Sequence, residues 1–297
     1  MTSLTASPTT APSPLARILP YLALAGSISS FCLGTSFGKR LFPLIGAPGT
    51  VAYRVGFAAI ILLVLTRPWR MRANRGDLIA IMRYGAALGL MNFSFYMALR
   101  TIPLGLAIAI EFLGPLTVSL LHARRPAHFA MVALAAAGLA TLLPLRQMNH
   151  GLDPVGVCFA LGSALGWAMY IIFGKRTAHM PGTQVVALGM ITAALIVVPI
   201  GVHDAGMALL TPSFMMLGLI TAVMSSALPY SLEMVALKHI PANRLGILLS
   251  VEPAVGALAG MVLLGERLTL MQGLAIGMVV AASAGSVLFS DKDHAAH

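Results

Sequence analysis

Ten apolar runs, each near the roughly 20 residues that a helix needs to cross a bilayer, fill this chain between residues 17 and 290. Cutting wherever Pro, Gly and charged clusters interrupt the pattern predicts spans at about 17–37, 49–66, 77–99, 103–122, 127–145, 154–174, 183–202, 213–237, 245–264 and 269–290. In lipid only helices and closed barrels satisfy their own backbone. Barrel strands would be short and alternating, so the fold class is an all-α polytopic membrane protein with ten transmembrane helices. A soluble domain is excluded by the 58% hydrophobic and 9% charged residues. The net charge of +10 does not point to nucleic acid, because the basic residues sit in short clusters between apolar runs.

The punctuation of the first half returns in the second. Phe37–Arg40 reads FGKR and so does Phe173–Arg176; Pro48-Gly49-Thr50 returns as Pro181-Gly182-Thr183, and Ala98–Pro103 matches Ala236–Pro241. Ordered internal repeats of this kind mark secondary transporters. The expected organisation is a disordered cytoplasmic tail at 1–16, a first five-helix repeat at 17–145, a second at 154–290, and a cytoplasmic tail at 291–297. Residues 17–37 are read as a retained span rather than a cleaved signal, since their partner at 154–174 is internal.

Lys and Arg bias cytoplasmic loops. One side holds twelve, among them Arg67, Arg70, Arg124, Arg125, Lys175 and Arg176, against five on the other, Lys39, Arg40, Arg100, Arg146 and Arg267. Both termini are therefore expected in the cytoplasm. Five spans per repeat, an odd number, then make the two repeats inverted.

Cys32 and Cys158 both lie in spans at positions unrelated by the repeat, so no disulfide framework is readable. The eight His residues offer no metal-ligand spacing. No metal and no cofactor are expected. Small residues at four-residue intervals, Gly34/Gly38, Gly85/Gly89, Gly162/Gly166, Gly256/Gly260 and Gly273/Gly277, are expected to let helices approach closely.

Ionisable groups deep in spans carry the functional argument, because a charge at the bilayer centre costs about 2.5–3.5 kcal/mol on insertion scales. Glu111 and Glu252 fall near the middle of their spans, whereas Glu233 and Arg54 fall near span ends, where they could snorkel to water and serve structure. Proline adjoins both central acids: Pro115 removes the helix bond to the carbonyl of Glu111, and Pro253 that to Leu249. Pro229 marks a third break. Matched broken helices in two halves point to a central site. A carboxyl in a poorly hydrated cavity that is neutral in one state and charged in another can couple proton movement to substrate movement. Asn92 and Tyr96 lie one turn apart, as do Ser163 and Trp167, and Ser226, Tyr230 and Glu233 share a face. These are the further candidates for substrate contact.

Several strings resemble a known family: Glu111–Leu116 (EFLGPL), Arg124-Arg125-Pro126, Ala227–Glu233 (ALPYSLE) and Val251–Thr269, which includes VEPAVGALAG and LGERLT. They are similar to the EamA branch of the drug/metabolite transporter superfamily, and in particular to its Rht-type threonine/homoserine exporters. The resemblance covers about residues 17–290. It implies an inverted five-plus-five transporter of the bacterial inner membrane that exports small amino acids or related metabolites (threonine/homoserine, methionine or aromatic amino acids) by alternating access. The expected partners are an amino acid, the bilayer and, as a coupling ion, protons. No nucleic acid and no enzymatic chemistry are expected. An importer with the same fold is the nearest alternative; a polytopic membrane enzyme is a more distant one, since the short loops gather no nucleophile, base or metal set.

Overall fold

A computed structural model describes residues 14–121, 126–140, 152–240 and 248–294. Among them every regular element is helical and no strand occurs. The helices are α1 Pro14–Lys39, α2 Phe42–Thr66, α3 Arg75–Ala98, α4 Leu104–Glu111, α5 Leu113–Leu121, α6 Pro126–Ala140, α7 Pro154–Arg176, α8 Gly182–Ala205, α9 Pro212–Ala222, α10 Leu228–His239, α11 Glu252–Leu264 and α12 Leu270–His294. A π-helical turn, Val223–Ala227, joins α9 to α10 without a gap. Five helices are long and apolar enough to span a bilayer by themselves, and shorter apolar helices account for the other spans. The protein is a multi-pass membrane protein. The tail expected at 1–16 falls mostly outside the described residues, as do Arg124, Arg125, residues 141–145 and the last residues of the chain.

One boundary differs from expectation with consequences for the site. Pro48-Gly49 reads as a helix start, but α2 begins at Phe42 and carries Pro48 inside it. Gly46 makes this possible by taking φ 70° and ψ 170° at a kink, a backbone state that a side chain disfavours. The helix therefore gains about two turns at its N-terminal end, and Arg54 moves from an end to the centre.

Elsewhere the caps follow sequence chemistry. Asn74 and Asp77 form a reciprocal capping box at the start of α3, and Asp153 caps α7 by accepting from the N–H groups of Val155 and Gly156. The fourth span is divided at Phe112, between α4 and α5. Pro115 accounts for this, since it has no N–H for the carbonyl of Glu111. The helix is likewise interrupted at Ser250 and Val251, just before Pro253.

Helix packing is paired across the halves. The main contacts join α1 to α10 and α11, α3 to α7 and α8, α2 to α8 and α9, α4 to α11, α5 to α7, and α6 to α12. Exchanging each helix of residues 14–140 for its counterpart in 154–294 returns the same set of main pairs. The closest approaches use small residues: a Cβ on Gly34 would lie 2.6 Å from the Ser225 nitrogen, and one on Gly105 2.6 Å from the Ala257 Cα. Gly85 and Gly166 are equally tight against α8 and α3. Gly273 and Gly277 depart from expectation: among the described residues no atom lies within 4 Å of a Cβ added at either. α12 instead packs on α6 through Ala275 and Met278, which meet Gly138.

Candidate functional site

Most helices of the two halves meet around one cavity of about 130 Å³. Ser27, Ile28 and Phe31 line it from α1, Arg54 from α2, Met91, Asn92 and Phe95 from α3, Glu111 from α4, and Trp167 and Tyr170 from α7. Ser225, Pro229 and Glu233 complete it from the π turn and α10, with Leu249 and Glu252 at the break before α11. Three carboxyls and one guanidinium thus share a small space among apolar helices. Intramembrane ionisable groups that face a cavity are the usual marks of a substrate or ion path.

Glu111 is buried, at 6% exposure. The Ser163 hydroxyl donates to its Oε1. Ser163 Oγ also lies 3.0 Å from the Met91 carbonyl oxygen, so one hydroxyl proton faces two acceptors. Phe112 meets Trp167 edge-on at 4.9 Å between centroids, which braces the α4–α5 break against α7. Asn92 donates from Nδ2 to the Leu88 carbonyl at 2.9 Å.

Arg54, placed near a span end by sequence, is instead central and only 2% exposed. Its Nε donates to Ser226 Oγ and its Nη2 to the Ser225 carbonyl, both at 3.1 Å. The guanidinium carbon lies 5.3 Å from the Phe31 ring centre and 5.2 Å from that of Tyr96. Pro229 explains this arrangement, because it offers no N–H to carbonyls four or five residues back. Those are Ser225 and Met224. Arg54 serves the first and Ser30 Oγ the second at 2.6 Å, while Ser27 Oγ donates to the Pro229 carbonyl at 2.9 Å. A local helix irregularity is thereby held by side chains from α1 and α2, as π turns at functional sites often are.

The sequence-derived candidates separate into three groups. Glu111, Glu252, Asn92 and Trp167 line the cavity. Ser163 and Ser226 stand behind it, on Glu111 and Arg54 respectively. Tyr96 is fully buried beneath Arg54, and its hydroxyl has no partner among the described residues; the side chain of Tyr230 lies outside the described residues. Glu233 and Arg54, which span position marked for structural roles, are both cavity residues. The apolar run Phe42–Ala47 upstream of Pro48 was the available signal for Arg54.

One end of the bundle is tied together by polar contacts. Lys39 Nζ and Glu266 Oε1 form an ion pair at 2.6 Å, and Lys39 also donates to the Ile102 carbonyl at 3.4 Å. Glu266 Oε2 accepts from the Leu104 N–H at 2.9 Å, and Arg40 Nη2 donates to the Leu263 carbonyl at 2.5 Å. At the same end the Thr101 hydroxyl, with the N–H groups of Gly156 and Val155, holds the Asp153 carboxyl below the usual carboxylate range. These contacts tie the C-terminus of α1 to the N-terminus of α4 and the C-terminus of α11. Glu252, by contrast, opens α11 at the end away from Glu266. Among the described residues no group of three His, Cys, Asp or Glu could hold a metal.

Comparison with known proteins agrees with this architecture. The profile of the EamA-like transporter family matches residues 154–288. The threonine/homoserine exporter RhtA of Escherichia coli K12 is 46% identical over 275 residues, covering 93% of each chain. That of Salmonella typhimurium LT2 is 47% identical over 270 residues, or 91% of this chain and 92% of the relative. The aromatic amino acid exporter YddG of Ancylobacter novellus is 29% identical over 183 residues, 56% of this chain and 61% of the relative. A solved crystal structure shares the fold with a TM-score of 0.57 at 22% identity, over 93% of this chain and 98% of its own.

Proposed function

This chain belongs to the EamA-like transporter family, and on that premise we propose that it exports small amino acids across the bacterial inner membrane by alternating access. The observation that carries this reading is the cavity, which sets Glu111, Glu233, Glu252 and Arg54 among helices of both halves. A zwitterion has charges of both signs to satisfy, and this site offers both. Its ammonium is assigned to Glu111 or Glu252, and Trp167 supplies an apolar wall for the side chain. At about 130 Å³ the cavity is smaller than the roughly 300–1,000 Å³ of pockets for drug-sized ligands. That favours the substrates named for the threonine/homoserine relatives over aromatic ones.

The exchange symmetry of the helix contacts supports two five-helix units, 17–145 and 154–290, related by inversion. The positive-inside bias supports a cytoplasmic location for both termini. The Lys39–Glu266 end then faces outward, and the cavity is loaded from the cytoplasm. Transport by purified protein in liposomes against labelled threonine, homoserine, methionine and phenylalanine, with and without a pH gradient, tests the function. Efflux of threonine or homoserine at least about tenfold above phenylalanine is expected, a difference of about 1.4 kcal/mol. Equal rates for all four, or none for any, would rule out the reading.

Alternating access makes the tied end a gate that must open. Glu266→Gln removes the charge from the ion pair and weakens the cap on Leu104. In a background with Cys32 and Cys158 replaced by Ala, a cysteine at the fully buried Thr35 is expected to react several-fold faster with an impermeant thiol reagent added outside once Glu266→Gln is introduced. An unchanged rate would mean that these contacts do not hold the gate.

A further inference from the structure

We propose that Arg54 is the anchor for the α-carboxylate of the transported amino acid, so that the site recognises a free carboxylate rather than an amine alone. This rests on the reading of the cavity as an amino-acid site and names the group that recognises one end of the substrate.

An arginine keeps its charge under all ordinary conditions, and a buried charge is stabilised by pairing. Arg54 is 2% exposed, yet it forms no salt bridge with Glu111, Glu233 or Glu252. Its hydrogen-bond partners are a hydroxyl and a carbonyl, which bring no negative charge, and Glu111 and Glu252 act on it through space without direct contact. Those two bonds use two of the five N–H groups of the guanidinium. The remaining donors belong to a side chain that lines the cavity. Phe31 and Tyr96 hold the charged group between two rings, and Ser226 fixes its Nε. A planar fork oriented in advance is the arrangement suited to a carboxylate, which it can grip with two parallel bonds. The three acids that line the same cavity suit the ammonium, so the site holds a partner for each end of a zwitterion.

A residue that only braced the π turn would have different consequences. Its loss would weaken all ligands alike, whereas loss of a carboxylate anchor removes discrimination between an amino acid and its carboxylate-free analogues. The test uses the full-length protein in liposomes, with threonine, threonine amide and threoninol as competitors of labelled threonine efflux. In the unmodified protein threonine is expected to compete at least about tenfold better than either analogue. Arg54→Gln is expected to lower threonine efflux at least tenfold and to bring the three competitors within about twofold of one another. Arg54→Lys retains a cation near the Ser225 carbonyl and is expected to recover part of the preference. Should Arg54→Gln not fold, the unmodified protein and Arg54→Lys still decide, because an unmodified protein indifferent to the carboxylate, or a lysine variant with undiminished preference, overturns the proposal. A wild-type competitor ratio in Arg54→Gln overturns it as well. Absence of threonine efflux in the unmodified protein counts against the export reading itself and takes this assignment with it.

Discussion

Glu111→Gln is expected to reduce amino-acid efflux at least about tenfold and to abolish its response to an imposed pH gradient, with membrane insertion intact. The reason lies in the proton count around Ser163. Its single hydroxyl proton can go to Glu111 or to the Met91 carbonyl, both of which lie within reach. When Glu111 is charged, the hydroxyl turns to it and the Met91 carbonyl loses its donor. When Glu111 is neutral, it can donate to Ser163, which then returns its own proton to Met91. The link between α3 and α7 is thereby set by the protonation of α4. Glutamine can donate but never becomes charged, so it holds the second arrangement permanently. A hydrogen bond to a charged group contributes about 1.5–3 kcal/mol, enough for the stated loss. Glu252→Gln is expected to lower efflux comparably, because Glu252 lines the same cavity at the break before α11. Efflux measured with and without a gradient checks both variants, and wild-type flux with wild-type pH response in each would remove the two acids from the mechanism.

Gly34→Val is expected to lower thermal stability markedly and to abolish efflux. Even the first carbon of a side chain would stand 2.6 Å from the Ser225 nitrogen and 2.7 Å from the Met224 carbonyl carbon. Both are backbone atoms of the π turn and cannot rotate away. α1 must then withdraw, and three bonds depend on its place or on that of the turn: Ser30 to Met224, Ser27 to Pro229, and Arg54 to Ser225. Overpacking a tight contact costs about 1–3 kcal/mol before such losses are counted. Gly277→Val is the control, since among the described residues nothing lies within 4 Å of a Cβ added there. Melting of the detergent-solubilised protein followed by size exclusion reads the difference. Equal melting temperatures for the two variants would show that α1 is free to shift.

The sequence placed the helices well because spanning is a local property. Hydropathy over about 20 residues decides it, and α7, predicted at 154–174, runs Pro154–Arg176. Proline chemistry is local too, so the break at Phe112 was legible from Pro115. Arg54 was misplaced by one ambiguous signal. Pro48-Gly49 looks like a helix start, and only the kink at Gly46, supported by contacts with α8, keeps Pro48 inside α2. Glu233 was set aside on span position alone, although what matters is which face meets the cavity. Tyr96 shows the converse: an aromatic polar residue at a suitable depth packs under Arg54 and is not among the residues that line the cavity.

What the sequence determined by itself is an all-helical membrane protein, the location of its spans and the points at which proline interrupts them. Each follows from the transfer of a few adjacent residues into lipid or from the missing N–H of one ring. The tertiary structure alone decided that Arg54 answers the carbonyl left unserved by Pro229, that Ser163 faces Glu111, and that Lys39 closes on Glu266. These partners are separated by 171, 52 and 227 positions. Their meeting depends on how closely whole helices approach, a property of packed surfaces rather than of any one stretch of chain.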